Sequence, residues 1–140
     1  MTVCKDCISE GVKTRRPAPH PGPRCSTHLR ARKLALRARS RAQYVERTYS
    51  ITEAQYQALY EAQGGVCALC RRAKGTGRKR LAVDHDHKCC PGPVSCGECV
   101  RGLLCTSCNK GVLGHARDEV EFFERGIEYL TNPPARRVLN

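Results

Sequence analysis

Cysteine is the residue that most constrains how this chain can fold. The 140-residue sequence contains 11 cysteines but only two phenylalanines and no tryptophan, so the large side chains that fill a hydrophobic core are scarce. Small domains of this kind are usually stabilised by disulfides or metal ions. An odd number of cysteines cannot all pair as disulfides within one chain. We therefore predict a small α+β fold stabilised by zinc.

Two sets of side chains have the spacing of zinc ligands. In each set, pairs of ligands separated by two residues allow a tight turn to present both to one tetrahedral ion. The first set predicts an amino-terminal Cys3His knuckle, and the second joins two Cys-x2-Cys pairs across a long intervening segment. Free thiols or a redox pair are the alternatives. The first set is Cys4, Cys7, Cys25 and His28, and the second is Cys67, Cys70, Cys105 and Cys108.

Four further cysteines occupy one loop, and their role is left open by the sequence. They can form a third zinc knuckle, a disulfide on oxidation, or neither. Adjacent cysteines do not easily point at one ion, which argues against a third site. These residues are Cys89, Cys90, Cys96 and Cys99.

The amino-terminal region bears on the compartment. No apolar segment precedes Cys4, so we expect no secretory signal peptide, and no segment has the length and apolarity of a transmembrane helix. Because disulfides are rare in reducing compartments, we expect a cytoplasmic protein whose cysteines bind zinc.

Apolar periodicity and turn residues predict short elements around the second cysteine set. A capping box near Ser50 opens a helix, and Gly64 with Gly65 ends it. Residues 1–28 show no helical or strand period. Helices are predicted over residues 29–47, 51–63, 106–114 and 117–130, and strands over 81–85 and 100–104. Val120, Phe123, Ile127 and Leu130 share one face of the last helix, which can pack on its own core or on a second subunit.

The net charge of +12 favours nucleic acid as a partner, because neutralising phosphates releases counterions. Most of the excess lies in the predicted helix over residues 29–47 and in a loop over residues 71–80. A solvated linker helix is the alternative, and charge alone does not separate DNA from RNA. The candidate DNA-contacting residues are Arg30, Arg32, Lys33, Arg37, Arg39, Arg41, Arg71, Arg72, Arg78, Lys79 and Arg80.

Residues 84–87, with the sequence Asp-His-Asp-His, end the first predicted strand and are candidates for catalysis. On a regular strand the two aspartates would face one way and the two histidines the other. Zinc in the second set would bring Asn109, which follows Cys108, near this strand end. An imidazole suits water activation near neutral pH, and carboxylate and amide oxygens suit Mg²⁺. A further zinc site, or a turn of surface polar residues, are the alternatives.

Residues of about 50–130 resemble the recombination endonuclease VII family of phage-type HNH nucleases. The first 50 residues lie outside this resemblance and are interpreted as an added DNA-holding module. The resembling segments are the helix from Ile51 to Gln63, Gly64 to Cys70, Leu81 to His87, Arg101 to Asn109, and Gly111 to Gly114.

The resemblance implies a ββα-metal (HNH) core with flanking helices. It implies that His85 is the general base and that Asp84 and Asn109 hold a catalytic Mg²⁺ or Mn²⁺. His87 would be a phosphate contact or an accessory acid. The cysteines at positions 67, 70, 105 and 108 would hold structural zinc.

Four segments are expected on this basis. They are a zinc knuckle over residues 1–28, a basic linker helix over 29–49, a nuclease domain over 50–131 and a tail over 132–140. The predicted function is metal-dependent DNA endonuclease, with nicking, double-strand cutting or branched-DNA cleavage left open. We expect a phage or mobile-element gene product that acts in the host-cell cytoplasm. The alternatives are a non-catalytic zinc-finger DNA-binding protein and an accessory factor in phage packaging or recombination. A homodimer is left open.

Overall fold

The computed structural model of the chain describes residues 2–13, 17–75 and 79–139. The chain divides into two compact units, Met1–Glu53 and Ala54–Asn140, and each is described by itself. Among the described residues, no helix has the length and apolarity needed to cross a membrane.

The first unit contains a short helix, α1 (Lys5–Ser9), and a long helix, α2 (Ser26–Tyr49). A single β-bridge between His20 and Arg24 turns the chain between them. The sequence showed no helical period over residues 1–28, because the 5 residues of α1 are too few to display one. The predicted basic helix is confirmed and begins three residues earlier than expected.

One buried cluster of the first unit consists of small side chains and thiols. Its members are Cys4, Cys7, Ala18 and Cys25. Along α2, by contrast, every residue from 30 to 40 is exposed. Val45 and Ile51 of this unit are also buried. Because these few side chains bury little apolar area, we expect the unit to be stabilised by a metal ion bound at its thiols.

The second unit is built around a β-hairpin. Strand β1 (Ala82–His85) pairs antiparallel with β2 (Val100–Leu104), as expected from the sequence. Near the start of the unit lies α3 (Glu53–Ala62). After the hairpin come a π-helical segment (Ser107–Leu113), α4 (Gly114–Ala116), α5 (Val120–Thr131) and α6 (Ala135–Val138).

One predicted helix boundary after the hairpin was wrong. The last long helix starts at Val120 rather than at residue 117, because Arg117 and Asp118 have φ of 51° and 58° and cannot continue a right-handed helix. The segment over residues 132–140 was predicted as a tail, but α6 forms immediately after Pro134, whose fixed φ suits a helix start.

The apolar face predicted for the last helix is largely uncovered. No residue of α5 is buried, and Val120, Ile127 and Leu130 are exposed. Phe122 does contact the ring of His115, with ring centroids 5.4 Å apart.

Gln63, just after α3, fastens that helix to the hairpin. Its amide oxygen accepts the N–H of Leu103 at 2.8 Å, and its amide nitrogen donates to the carbonyl of Leu103 at 2.9 Å and to that of Val66 at 3.0 Å. The Gln63 amide therefore forms the pair of hydrogen bonds with the Leu103 backbone that a neighbouring strand would form. Space is tight here, since a Cβ on Gly102 would lie 3.0 Å from the Gln63 oxygen. The hydroxyl of buried Tyr56 adds a hydrogen bond to the carbonyl of Leu81 at 2.8 Å.

We predict that Gln63→Ala lowers the free energy of unfolding by about 1–3 kcal/mol, because the buried N–H of Leu103 loses its hydrogen-bond acceptor. The carbonyl of Leu103 keeps the N–H of Ala68 as a donor. Urea unfolding of the zinc-saturated protein measures the effect. Gln57→Ala is the matched control, since the Gln57 amide only donates to exposed Glu61, and it should stay within about 0.5 kcal/mol of the wild type. Equal effects of the two substitutions would contradict the bridging role of Gln63.

Candidate active site

Three groups of cysteine and histidine side chains stand out in the described parts of the chain. In each group the four candidate ligand atoms lie within 4.8 Å of one another. Together the groups take up all 11 cysteines, as three, four and four, with His28 completing the first. This division explains the odd number of cysteines. The groups are Cys4, Cys7, Cys25 and His28; Cys67, Cys70, Cys105 and Cys108; and Cys89, Cys90, Cys96 and Cys99.

The distances within these groups suit a single tetrahedral ion. A Zn–S bond of about 2.3 Å places two sulfurs about 3.8 Å apart, whereas a disulfide bond is about 2.0 Å long. The sulfurs of Cys70 and Cys105 are 4.0 Å apart, and all the cysteines are free thiols. Both sets predicted from the sequence are therefore brought together in a form that can hold zinc.

The amino-terminal group has a carboxylate behind its histidine. The Nδ1 atom of His28 lies 3.2 Å from the sulfur of Cys25, and its Nε2 donates to Glu10 at 2.9 Å. This hydrogen bond raises the pKa of His28 to about 9 and turns Nδ1 towards the thiols. A carboxylate behind a histidine is a common arrangement at zinc sites, where it orients the ring and strengthens the ligand. Sequence reasoning missed Glu10, because the ligand spacing gives no signal for it.

Backbone N–H groups favour the thiolate form of one cysteine in the second group, which is the form that binds metal. The N–H groups of Ala73 and Arg72 lower the pKa of Cys70 to about 6, whereas burial raises that of Cys108 to about 12. Four adjacent thiolates repel one another, so all four can be deprotonated together only around a cation. A divalent ion with affinity for sulfur fits this donor set.

Asp84 is buried at the end of β1, and its charge is balanced by Arg101 on β2. The Nε of Arg101 donates to Asp84 Oδ2 at 2.7 Å, and Nη2 donates to Oδ1 at 3.1 Å. The same Nη2 lies 3.2 Å from Asp118. The resemblance covered Arg101 without assigning it a role, and Asp118 was missed entirely. Neither contact could be predicted from the sequence, because Arg101 is 17 residues from Asp84 and Asp118 is 17 residues from Arg101.

His85 follows Asp84 and is also buried. Its Nε2 lies 3.1 Å from the carbonyl oxygen of Cys90 and 3.3 Å from that of Gly92. Carbonyl oxygens only accept hydrogen bonds, so Nε2 is the nitrogen that donates here and carries a proton. The loop after β1 therefore sets both the orientation and the tautomer of this imidazole.

The hairpin is irregular where these residues lie, with a register shift between Asp84 and His85. The His87 ring lies 4.6 Å from the His85 ring, and its Nδ1 is 3.2 Å from Asp118. Asp86 instead accepts the backbone N–H of Lys88 at 2.9 Å, which is a turn-forming role. In the described segments, no group with metal-ligand spacing includes residues 84–87, so the alternative of a further zinc site there has no support.

Asn109 is half-buried in the π-helical segment, and its N–H donates to the carbonyl of Cys105 at 2.9 Å. It is thus attached directly to the second cysteine group. A cavity of about 250 Å³ opens beside the hairpin and is lined by Asp84, Arg101 and Leu113, among others. The sharing of one cation by Asp84 and Asn109 stays a prediction.

The candidate DNA-contacting residues differ in their surroundings. Those of α2 up to Arg39 are exposed and Arg41 is half-buried; Arg71, Arg72 and Lys79 are also exposed. Arg80 packs over the ring of Tyr56, 3.7 Å from its centroid. Arg78 lies outside the described residues. Contact with DNA stays a prediction for all of them.

Comparisons with known proteins give a consistent result. A family model described as recombination endonuclease VII matches residues 42–132. The Gene 59 protein of Mycobacterium phage L5 is 51% identical over 136 residues, which are 97% of this chain and 77% of the phage protein. The Gene 59 protein of Mycobacterium phage D29 is 50% identical with the same coverage. No solved structure matches the chain.

We predict that Glu10→Ala weakens zinc binding by the amino-terminal group about 10- to 100-fold, because the carboxylate no longer orients His28. Competition with a chromophoric chelator measures the affinity. Glu46→Ala removes an exposed carboxylate from α2 in the same unit and should leave zinc binding unchanged. If the two variants retain zinc equally well, Glu10 has no part in the site.

Proposed function

This chain belongs to the recombination endonuclease VII family, and on that premise we propose that it is a metal-dependent DNA endonuclease of the HNH type. In this proposal β1, β2 and the helical stretch after them form the ββα-metal core. Two groups hold structural zinc in this proposal. They are Cys4, Cys7, Cys25 and His28, and Cys67, Cys70, Cys105 and Cys108. Phage-encoded relatives lead us to propose that the protein acts on DNA in the cytoplasm of an infected cell.

The observation that carries the proposal is the arrangement of His85. A general base must present one nitrogen lone pair from a fixed position. The carbonyl of Cys90 holds the Nε2–H of His85 at 3.1 Å, so Nδ1 is the atom that takes the proton from the attacking water. The ring is buried, which restricts it to this orientation.

The oxygen donors available suit a hard cation. Asp84 and Asn109 would hold Mg²⁺ or Mn²⁺, which bind few protein oxygens and retain several waters. Arg101 uses two of the roughly four lone-pair positions of the Asp84 carboxylate, so acceptor capacity is left for a metal. When bound, this ion would neutralise charge on the scissile phosphate and on the leaving oxygen.

Two further side chains can act on the phosphodiester. His87 is exposed, and Asp118 accepts from its Nδ1 at 3.2 Å, so its Nε2 is directed away from Asp118. That nitrogen can contact a phosphate or donate a proton to the leaving oxygen. Arg101 lines the cavity beside Asp84, where its guanidinium can neutralise phosphate charge.

The first unit is suited to holding DNA. It joins a Cys3His group to a helix whose residues 30–40 are all exposed, and that helix carries much of the basic excess. We propose that this unit is an added DNA-holding module; a solvated linker helix is the alternative, and the binding test below separates the two. The homodimer and the packaging or recombination partners stay predictions.

We predict that His85→Ala reduces cleavage about 10²- to 10⁴-fold, the usual contribution of a general base. The assay uses supercoiled plasmid, linear duplex and branched DNA, each with Mg²⁺, with Mn²⁺ and with chelator. His115→Ala is the matched control, because His115 is an exposed histidine of the same unit whose ring contacts the ring of Phe122. Full activity of His85→Ala, with zinc content unchanged, would exclude this residue as the base. DNA binding without cleavage under every metal condition would support the non-catalytic alternative.

We also predict that replacing Arg37 and Arg39 by glutamine weakens binding to all DNA sequences. The slope of log affinity against log salt should become shallower by about 0.9 for each phosphate that the helix no longer neutralises. Fluorescence anisotropy on the His85→Ala background measures binding without cleavage. Arg125→Gln, on exposed α5, is the control, and an unchanged slope in the α2 variant would contradict a DNA contact there.

A further inference from the structure

The loop cluster, as we name Cys89, Cys90, Cys96 and Cys99, lies between the two strands that carry the candidate active site. We propose that the loop cluster binds a third structural zinc ion, and that this ion positions His85 through the carbonyl of Cys90. The zinc site stands on its own geometry. Its catalytic consequence rests on the proposed function.

The sulfur positions of the loop cluster match one tetrahedral ion. The distances are 3.9 Å from Cys89 to Cys96, 3.9 Å from Cys89 to Cys90, and 3.7 Å from Cys96 to Cys99. Four thiolates around one zinc ion are separated by about 3.8 Å. A disulfide would bring two sulfurs to about 2.0 Å, so the cluster is arranged for a metal rather than for a covalent bond.

The expectation that adjacent cysteines do not point at one ion was wrong. The N–H groups of Cys89 and Cys90 both donate to the carbonyl of Asp86, at 3.2 Å and 3.0 Å. These bonds curve the backbone as in a helical turn, where consecutive side chains diverge by about 100° rather than about 180° as on a strand. Both sulfurs can therefore reach the same centre.

The loop has little besides the cluster to hold it in place. Its one large aliphatic side chain, Val94, is 56% exposed, and the loop forms neither helix nor strand between Asp86 and Cys99. Its buried polar residue, Ser95, serves the cluster: the hydroxyl lies 3.3 Å from the sulfur of Cys99 and accepts the N–H of Gly97 at 3.0 Å. A long loop without apolar cover needs a cross-link to become ordered, and a metal ion supplies one.

One residue, Cys90, links the loop cluster to His85, the proposed general base. Its sulfur belongs to the cluster, and its carbonyl oxygen lies 3.1 Å from Nε2 of His85. The ends of the loop are joined by the N–H of Asp86 and the carbonyl of Cys99, 2.9 Å apart. An ion that fixes the sulfur therefore fixes the carbonyl, and the carbonyl fixes the imidazole.

Zinc content of the purified full chain tests the site directly. Mass spectrometry of dissolved metal should give three zinc ions per chain, and two in a Cys96→Ser/Cys99→Ser variant with unchanged helical circular dichroism. Val94→Ser places a serine in the same loop without touching a ligand and should retain three. Two zinc ions in the wild type, or iron in place of the third zinc, would overturn the assignment.

The positioning role is tested by nitrogen NMR of the imidazole together with kinetics. In the wild type His85 should show one tautomer with the proton on Nε2. In the double variant this signature should be lost and kcat should fall about 10- to 100-fold, as when an orienting hydrogen bond is removed, while Kd for DNA is unchanged. A single Cys96→His variant keeps Cys99 and still offers four zinc ligands, so it should retain the third ion, the tautomer and kcat.

A variant that loses the third ion but keeps both the His85 tautomer and kcat would overturn the positioning role. The metal count and the imidazole spectrum require no DNA cleavage. A wild-type protein with three zinc ions, the expected tautomer and no nuclease activity would therefore overturn only the proposed function.

Discussion

Coordination by thiolates is the constraint on which the rest of this structure depends. One buried cluster of the first unit is three thiols and one methyl group, and Cys67 and Cys108 are among the buried side chains of the second unit. A structural zinc ion contributes roughly 10–16 kcal/mol to folding, against a net stability of about 5–15 kcal/mol for a whole domain. With so little apolar burial, zinc bound at these groups would couple metal binding to folding, and the ligand groups would then decide which parts of the chain are brought together.

The sequence predicted what is local and repetitive. Ligand pairs two residues apart predicted the groups containing Cys4 and Cys67, and a short segment after a Pro/Gly/Cys-rich loop was predicted as a strand with the bounds that β2 has. The partners of the candidate site were not predictable in this way. Gln63 bonds to Leu103, 40 residues away, and Arg101 to Asp84, 17 residues away. Such contacts depend on the register of the hairpin and leave no periodic pattern. The loop cluster stayed open because adjacent Cys89 and Cys90 were not expected to point easily at one ion, and the sequence does not show how the backbone turns between them.

Backbone strain at Asp118 places its carboxylate beside the candidate active site. Its φ of 58°, after a φ of 51° at Arg117, costs about 1–3 kcal/mol for each residue of this kind. The left-handed pair ends one helical stretch and turns the Asp118 carboxylate towards Arg101 and His87. Arg101 is thereby shared between two carboxylates, one of them the buried Asp84. Because an unpaired buried carboxylate is costly, this pairing stabilises the strand end on which Asp84 and His85 lie.

A comparison of His28 with His85 illustrates how one type of side chain is adapted to different tasks. His28 donates to the carboxylate of Glu10, whose negative charge raises its pKa to about 9 and strengthens it as a metal ligand. His85 donates to backbone carbonyls, which fix the orientation of the ring. A ring held in this manner needs a rigid backbone, since a displaced carbonyl no longer defines the tautomer. In a loop with almost no apolar contacts, that rigidity has to come from the cysteines beside the carbonyl.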